Sequence, residues 1–155
     1  QNVLLFLRNT CVIGSKVISY SYKRGEKMEK ATKVLLITYI REQYGDEAMY
    51  IFKNSPEIGV CRHGENGKWY AVFMPVAYKK FGIGKEGETE VVTLKCIPQL
   101  GASVADGQSV FPAYHMNKEH WISILLDGSA DCGQAKSLID LSYNLTLGAK
   151  SKKKE

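Results

Sequence analysis

Hydrophobic side chains recur every three or four residues between positions 30 and 44, where Val34, Ile37, Ile40 and Tyr44 define one face. Gly45 follows at the position where a left-handed cap ends many helices. The pattern therefore predicts a first amphipathic helix over residues 30–44.

Two β-rich runs follow, at residues 58–62 and 68–76. The Asn66-Gly67 pair between them is typical of a tight hairpin turn, because both residues tolerate a positive φ. Both faces of the second run are apolar, so we expect helices to cover at least one of them. One face is predicted to hold Trp69, Ala71 and Phe73, and the other Tyr70, Val72 and Met74.

Glycines and lysines indicate an exposed loop over residues 79–88. Its glycines at 82, 84 and 87 have the spacing of a dinucleotide-binding motif. The motif precedes a strand instead of opening a helix, so nucleotide binding is not predicted.

The remaining pattern predicts a strand at 90–96, a short helix at 98–105, strands at 111–115 and 120–126 around a polar turn at 117–119, and a last helix. Asp131, followed three residues later by Gln134, is typical of the start of that helix, which runs to Gly148. This order predicts an α+β domain with a single antiparallel sheet, and with the N- and C-terminal helices packed on one face.

The composition is that of one soluble globular domain: 155 residues, of which 45% are hydrophobic and 24% charged. No apolar stretch approaches the roughly 20 residues of a membrane-spanning helix, so no membrane partner is predicted. The four cysteines lie far apart, which favours reduced thiols in a cytoplasmic protein over disulfides or a zinc site.

The net charge of +5 is concentrated at the two ends of the chain. Residues 1–27 carry five basic side chains and one acidic, and the lysine-rich tail at 148–155 carries four basic and one acidic. Residues 28–147, the predicted domain, carry 12 basic and 14 acidic side chains, so bulk charge is no argument for nucleic-acid binding by the domain.

Residues 1–27 are unlike a domain, and Met28 is a candidate start. The stretch from Lys23 to Lys27 could be encoded by a purine-rich run that resembles a bacterial ribosome-binding site. We therefore expect residues 1–27 to be an extra N-terminal segment that corresponds to an untranslated upstream region. The alternative is a helix or strand that packs on the domain.

Two stretches resemble the MmcQ/YjbR family of small bacterial proteins: RHGENGKWYA at residues 62–71 and PAYHMNKEHWI at residues 112–122. LKCIP at residues 94–98 is similar to a third family segment, with Ile97 in place of a more usual acidic residue. The resemblance covers residues 30–147. It implies a CyaY-like fold similar to bacterial frataxin, a double-wing arrangement and a role in DNA binding.

Frataxins bind iron with an acidic ridge on the first helix, whereas acidic and basic side chains are mixed on the helix predicted here. Iron delivery is therefore disfavoured, and no cofactor is predicted. His115 and His120 are five residues apart, which is not a familiar spacing of metal ligands, so a metal site is not predicted. A nucleophile at Cys61 or Cys96 would need an oriented base, and a buried free cysteine is the commoner role, so the protein is not predicted to be an enzyme.

We expect two hairpins to present cationic and aromatic groups to phosphates and bases. In a strand at 111–115, His115 and Asn117 would share one face, and the turn would bring His120 and Trp121 back beside them. The candidate DNA-binding residues are Arg62, His63, Lys68, Trp69, Lys95, Tyr114, His115, Asn117, Lys118, His120 and Trp121.

Two alternatives stay open. The same polar and aromatic cluster suits a module that binds a protein or a small ligand. In a purely structural interpretation, both tryptophans are core residues, Asn117 fixes a turn and the histidines satisfy buried hydrogen bonds.

Overall fold

A computed structural model describes residues 10–13, 16–19 and 28–148. Within the N-terminal segment, strands β1 (Thr10–Ile13) and β2 (Lys16–Ser19) pair antiparallel in a two-stranded sheet of their own. The rest of that segment and the lysine-rich tail after Gly148 lie outside the described residues.

Helix α1 (Lys33–Tyr44) confirms the first predicted helix. The Thr32 hydroxyl accepts a hydrogen bond from the Leu35 amide, and Gly45 ends the helix with a left-handed φ of 73°. The helix begins three residues later than predicted because the backbone before it pairs with residues 130–132: the Ala31 amide donates to the Ala130 carbonyl at 2.9 Å.

Five antiparallel strands form the main sheet in the order β3-β4-β5-β7-β6. They are β3 (Gly59–Arg62), β4 (Trp69–Ala77), β5 (Glu88–Lys95), β6 (Val110–Pro112) and β7 (Trp121–Leu125). A single 3₁₀ turn (Tyr78–Phe81) follows β4, α2 (Pro98–Val104) follows β5, and α3 (Cys132–Leu147) ends the fold. The predicted α+β class and element order are confirmed.

Helices α1 and α3 pack on one face of the sheet, where they bury a core that includes Leu36, Ile40, Phe73, Leu94 and Ile139. No described helix has the length and apolar character needed to cross a membrane. The opposite side, which we call the second face, holds its own buried cluster of Val60, Val72, Met74, Val91 and Leu125.

A β-bulge in β4 places two aromatic side chains on the faces opposite to those that simple alternation predicts. The register of β3 with β4 shifts between Cys61 and Arg62, so that Cys61 pairs with Ala71 but Arg62 pairs with Trp69. Tyr70 is the extra residue, and it joins Ala71 in the helix-side core, whereas Trp69 packs on the second face. The predicted alternation, with Trp69 on the face of Ala71, is therefore wrong.

The strand predicted at 111–115 ends at Pro112, so His115 and Asn117 do not share a strand face. The Tyr114 amide donates to the side-chain oxygen of Ser123 at 3.4 Å instead of continuing the ladder, and His115 turns the chain with a φ of 67°. Residues 113–120 thus form a loop between β6 and β7.

Candidate functional site

Four of the predicted residues lie together on the second face, at one end of the sheet. Arg62 closes β3 directly opposite Trp69, which opens β4, and Lys95 closes β5 directly opposite Trp121, which opens β7. Leu94 and its partner Ile122 belong to the helix-side core. Side chains alternate along a strand, so their neighbours Lys95 and Trp121 point to the second face.

The Lys95 ammonium stands over the ring of Trp121, with 5.3 Å between Nζ and the ring centroid. This is a cation–π contact, and both side chains are half-buried. Strand β5 lies between β4 and β7, so Lys95, which pairs with Trp121 on β7, is on the strand next to that of Trp69. The pairs of β4 with β5 begin at Ala71 and Leu94, and Trp69 lies two residues before them, towards the same end of the sheet.

Phe52 extends this aromatic surface and was missed by the sequence prediction. Its ring meets Trp69 edge to face at a centroid distance of 5.9 Å, and the side chain is 36% exposed. The apolar run Tyr50-Ile51-Phe52, which belongs to no predicted element, is the feature of the sequence that could have identified it.

Tyr114 and His115 lie at the other edge of the second face. Tyr114 packs against the buried cluster there, and the exposed His115 ring lies 4.0 Å from the Tyr114 ring, centroid to centroid. Nζ of Lys80 lies 5.5 Å from the centroid of the Tyr114 ring. This lysine is a cation that the sequence prediction did not include.

His63 does not belong to this surface. It is 3% exposed, its Nε2 lies 2.8 Å from the Thr146 hydroxyl of α3, and its ring contacts Tyr70 and Tyr143. Burial lowers the pKa of the imidazole, which favours the neutral form. In this position the ring presents almost no surface to a ligand, and the contact that the sequence predicted for His63 stays a prediction.

The loop before β4 has six residues, 63–68, one more than the predicted connection at 63–67. Only Gly67 of the Asn66-Gly67 pair has a positive φ, of 68°. Asn66 instead donates from its side chain to the carbonyls of Thr146 and Leu147, both at 2.9 Å, and so caps the end of α3.

Lys68 and Lys118 are exposed on two loops, 63–68 and 113–120. Both loops lie at the same end of the sheet, since they connect β3 to β4 and β6 to β7, but at opposite edges. In the second loop the Asn117 side chain accepts from the Glu119 amide at 2.9 Å, as predicted for a turn. His120 is half-buried, and its carbonyl accepts from the Cys96 amide at 2.8 Å.

The buried cysteines have the environment of inert thiols. Cys61 is fully buried, and burial raises its pKa to about 12. Burial also raises the pKa of Cys96 and Cys132. Over the described residues, no three His, Cys, Asp or Glu side chains come together in a group that could hold a metal ion.

A second polar cluster lies between α1 and α3, away from the second face. The Tyr39 hydroxyl donates to both Asp140 oxygens at 2.8 Å, and Tyr44 donates to the same carboxylate. The Tyr44 ring stacks on Tyr143 at 3.8 Å. These contacts join the two helices, and the hydroxyls of Tyr39 and Tyr44 and the Asp140 carboxylate each have a hydrogen-bond partner on the other helix.

Comparison with known proteins shows which family this chain is similar to. The YjbR family model matches residues 41–145. Uncharacterized protein YyaQ of Bacillus subtilis (strain 168) is 36% identical over 115 residues, covering 74% of this chain and 98% of YyaQ. Uncharacterized protein YjbR of Escherichia coli (strain K12) is 38% identical over 77 residues, covering 48% of this chain and 65% of YjbR.

Solved structures share the fold. A crystal structure of a Pseudomonas syringae protein is similar with a TM-score of 0.71 and 36% identity, covering 74% of this chain and 98% of that one. A Deinococcus radiodurans crystal structure is similar with a TM-score of 0.60 over 80% of this chain and 84% of that one; at 24% identity it speaks for the fold alone.

Proposed function

The chain belongs to the YjbR family, and on that premise we propose that it binds DNA through the second face of its sheet, without catalysing a reaction. The observation that carries the proposal is the row formed by Arg62, Trp69, Lys95 and Trp121 across four different elements of one sheet end. Cations beside half-buried aromatic rings suit phosphates and bases together.

The two loops at the edges of this sheet end would act as the wings of a double-wing arrangement. Lys68 on the loop 63–68 and Lys118 on the loop 113–120 are exposed, so each can reach a phosphate beside the face. His115 and Tyr114 add a ring surface next to the second loop. The lysine-rich tail would add affinity that falls as the salt concentration rises.

We expect weak sequence specificity in a cytoplasmic protein. Lysine and arginine dominate the polar groups of the face, and their contacts with phosphates carry no sequence information. Asn117, the amide on the list of candidate residues, already uses its side-chain oxygen in the loop turn. Free, buried thiols agree with a reducing compartment.

Fluorescence anisotropy of a labelled oligonucleotide over a salt series tests the proposal. The double variant Arg62→Ala, Lys95→Ala should bind at least tenfold more weakly than the natural chain at low salt, and with a shallower salt dependence. Lys136→Ala is the matched control, because Lys136 on α3 stands over the Tyr39 ring at 5.5 Å, a similar cation–π pair on the helix side. Equal affinity of the double variant and the natural chain would refute the site.

A further inference from the structure

We infer that the nucleic acid held by the second face is an unpaired strand, with bases stacked on Trp69 and Trp121 and a phosphate at Lys95 between them. The inference rests on the proposed function and specifies its ligand. It follows from what the face offers, which is two tryptophan rings on the strands that flank β5, each with a cationic residue paired to it: Arg62 with Trp69 and Lys95 with Trp121.

An aromatic side chain can stack only on a base that has at least one face free of a neighbouring base. In a duplex, bases present their edges in the grooves, and flat protein rings cannot reach the base faces without opening the helix. In a single strand the base faces are free, and stacking on aromatic side chains is the main recognition mode. Trp69 and Trp121 are both half-buried, so each still exposes part of its surface. Lys95 stands over one face of the Trp121 ring, so a base that stacks on that face displaces the ammonium, which then meets the phosphate.

The aromatic row continues beyond the two tryptophans. Phe52 lies beside Trp69 at one edge of the sheet, and Tyr114 and His115 come just after β6, the strand at the other edge. The row crosses the strands of the sheet instead of following one of them. A single strand laid across it would meet several rings in succession, as on other sheet-based binding platforms.

The charge of the domain points the same way. Duplex binders draw much of their affinity from many phosphate contacts. Residues 28–147 carry 12 basic and 14 acidic side chains, and among the described residues Arg62, Lys80, Lys85 and Lys95 stand beside the rings of the second face. With so few cations, stacking has to supply a large part of the affinity, and the salt dependence should be shallow.

Intrinsic fluorescence provides a direct experiment, because Trp69 and Trp121 are the two tryptophans of the chain. The full chain is titrated at 150 mM salt with three probes: a 12-nucleotide oligo-dT, a 12-nucleotide oligo-rU and a 12-base-pair DNA duplex. We expect saturable quenching of the tryptophan emission by at least one unpaired probe, and at least tenfold weaker binding of the duplex. Either order of oligo-dT and oligo-rU supports the inference and tells DNA from RNA.

Variants then assign the effect to the rings. Trp121→Leu should weaken binding of the preferred unpaired probe by roughly five- to a hundredfold, whereas Trp121→Phe, which keeps an aromatic ring, should lose much less. Circular dichroism checks that both variants fold, and if Trp121→Leu does not, Lys95→Met and the probe comparison on the natural chain decide.

The outcomes separate the two proposals. Duplex binding as tight as that of the unpaired probes, or binding without quenching, would overturn the inference and leave the proposed function in place. No binding of any probe in anisotropy or fluorescence at low salt would overturn both.

Discussion

Nε2 of His63 lies 2.8 Å from Oγ1 of Thr146, and this contact ties the loop before β4 to the last turn of α3. The Thr146 hydroxyl also lies within hydrogen-bond distance of the Ser142 carbonyl, at 2.8 Å, and of the Tyr143 carbonyl, at 3.2 Å. The Thr146 hydroxyl therefore links the His63 ring to the backbone of α3.

Replacing His63 should affect stability and not ligand binding. We expect His63→Ala to lower the free energy of unfolding in urea by about 2 kcal/mol, because it removes a buried hydrogen bond and leaves space beside Tyr70 and Tyr143. Oligonucleotide affinity of the folded variant should stay within twofold of the natural chain. Loss of affinity with unchanged stability would place His63 in the binding surface after all.

Stability should also depend on pH through the same residue. Burial lowers the pKa of His63 in the folded state, so below the unfolded value of about 6.5 the unfolded chain binds more protons than the native one. The free energy of unfolding should therefore fall as the pH is lowered from 7 to 5. Urea titrations at several pH values should show a flatter profile for His63→Gln, and the same slope in both proteins would contradict this assignment.

Carboxylates change the free energy of unfolding at lower pH than His63 does, so the two effects can be separated. Although burial alone would raise it, the pKa of Asp106 is lowered to about 2 by hydrogen bonds from the amides of residues 108–110 and the Ser109 hydroxyl. Its stabilising contribution is complete above the unfolded value near 3.9 and is lost as the pH falls towards 2. Asp106→Asn should therefore lower the free energy of unfolding by a constant amount above about pH 5, and should flatten its pH dependence below that pH.

The Tyr39, Tyr44 and Asp140 cluster should contribute measurably to the packing of α1 on α3. Burial, followed by the hydrogen bond to Asp140, raises the pKa of Tyr44, which keeps its hydroxyl protonated and able to donate. Asp140→Ala should cost about 2 kcal/mol in urea unfolding, since two tyrosine hydroxyls lose a charged acceptor. Glu42→Ala, at an exposed site of α1, is the control and should stay within about 0.5 kcal/mol.

Cys61, Cys96 and Cys132 should resist alkylation in the folded protein. All three are buried with a raised pKa, so little thiolate is present at pH 8 and reagents have no access. Iodoacetamide followed by peptide mapping should leave these three unmodified in the native chain and modify them in urea. Rapid native labelling of Cys61 or Cys96 would revive the possibility of a nucleophilic enzyme.

Local sequence rules predicted the elements whose ends are fixed by neighbouring residues. The Gly45 cap of α1 has the expected left-handed backbone, and the Asp131 side chain accepts from the Gln134 amide at 2.8 Å at the start of α3. The element order, and from it the fold class, followed from these positions and from the β-rich runs.

Long-range packing decided what local rules could not predict. The bulge at Tyr70 moves Trp69 to the second face, and the sequence of β4 alone carries no mark of the bulge. The Tyr39–Asp140 contact joins residues 101 positions apart. Long-range packing also separates two histidines that the sequence treats alike. His63 is buried and makes a hydrogen bond, as the structural interpretation predicts, whereas His115 is exposed.

The central claim is that the second face of the sheet binds nucleic acid. The most direct measurement is a two-dimensional NMR titration of the ¹⁵N-labelled full chain with an unlabelled 12-nucleotide oligonucleotide. We predict the largest shifts at the amides of Arg62, Lys95 and the loop 113–120, and at the indole N–H groups of Trp69 and Trp121, with little change along α1 and α3. Shifts confined to the helix side, or none at all at millimolar oligonucleotide, would contradict the account.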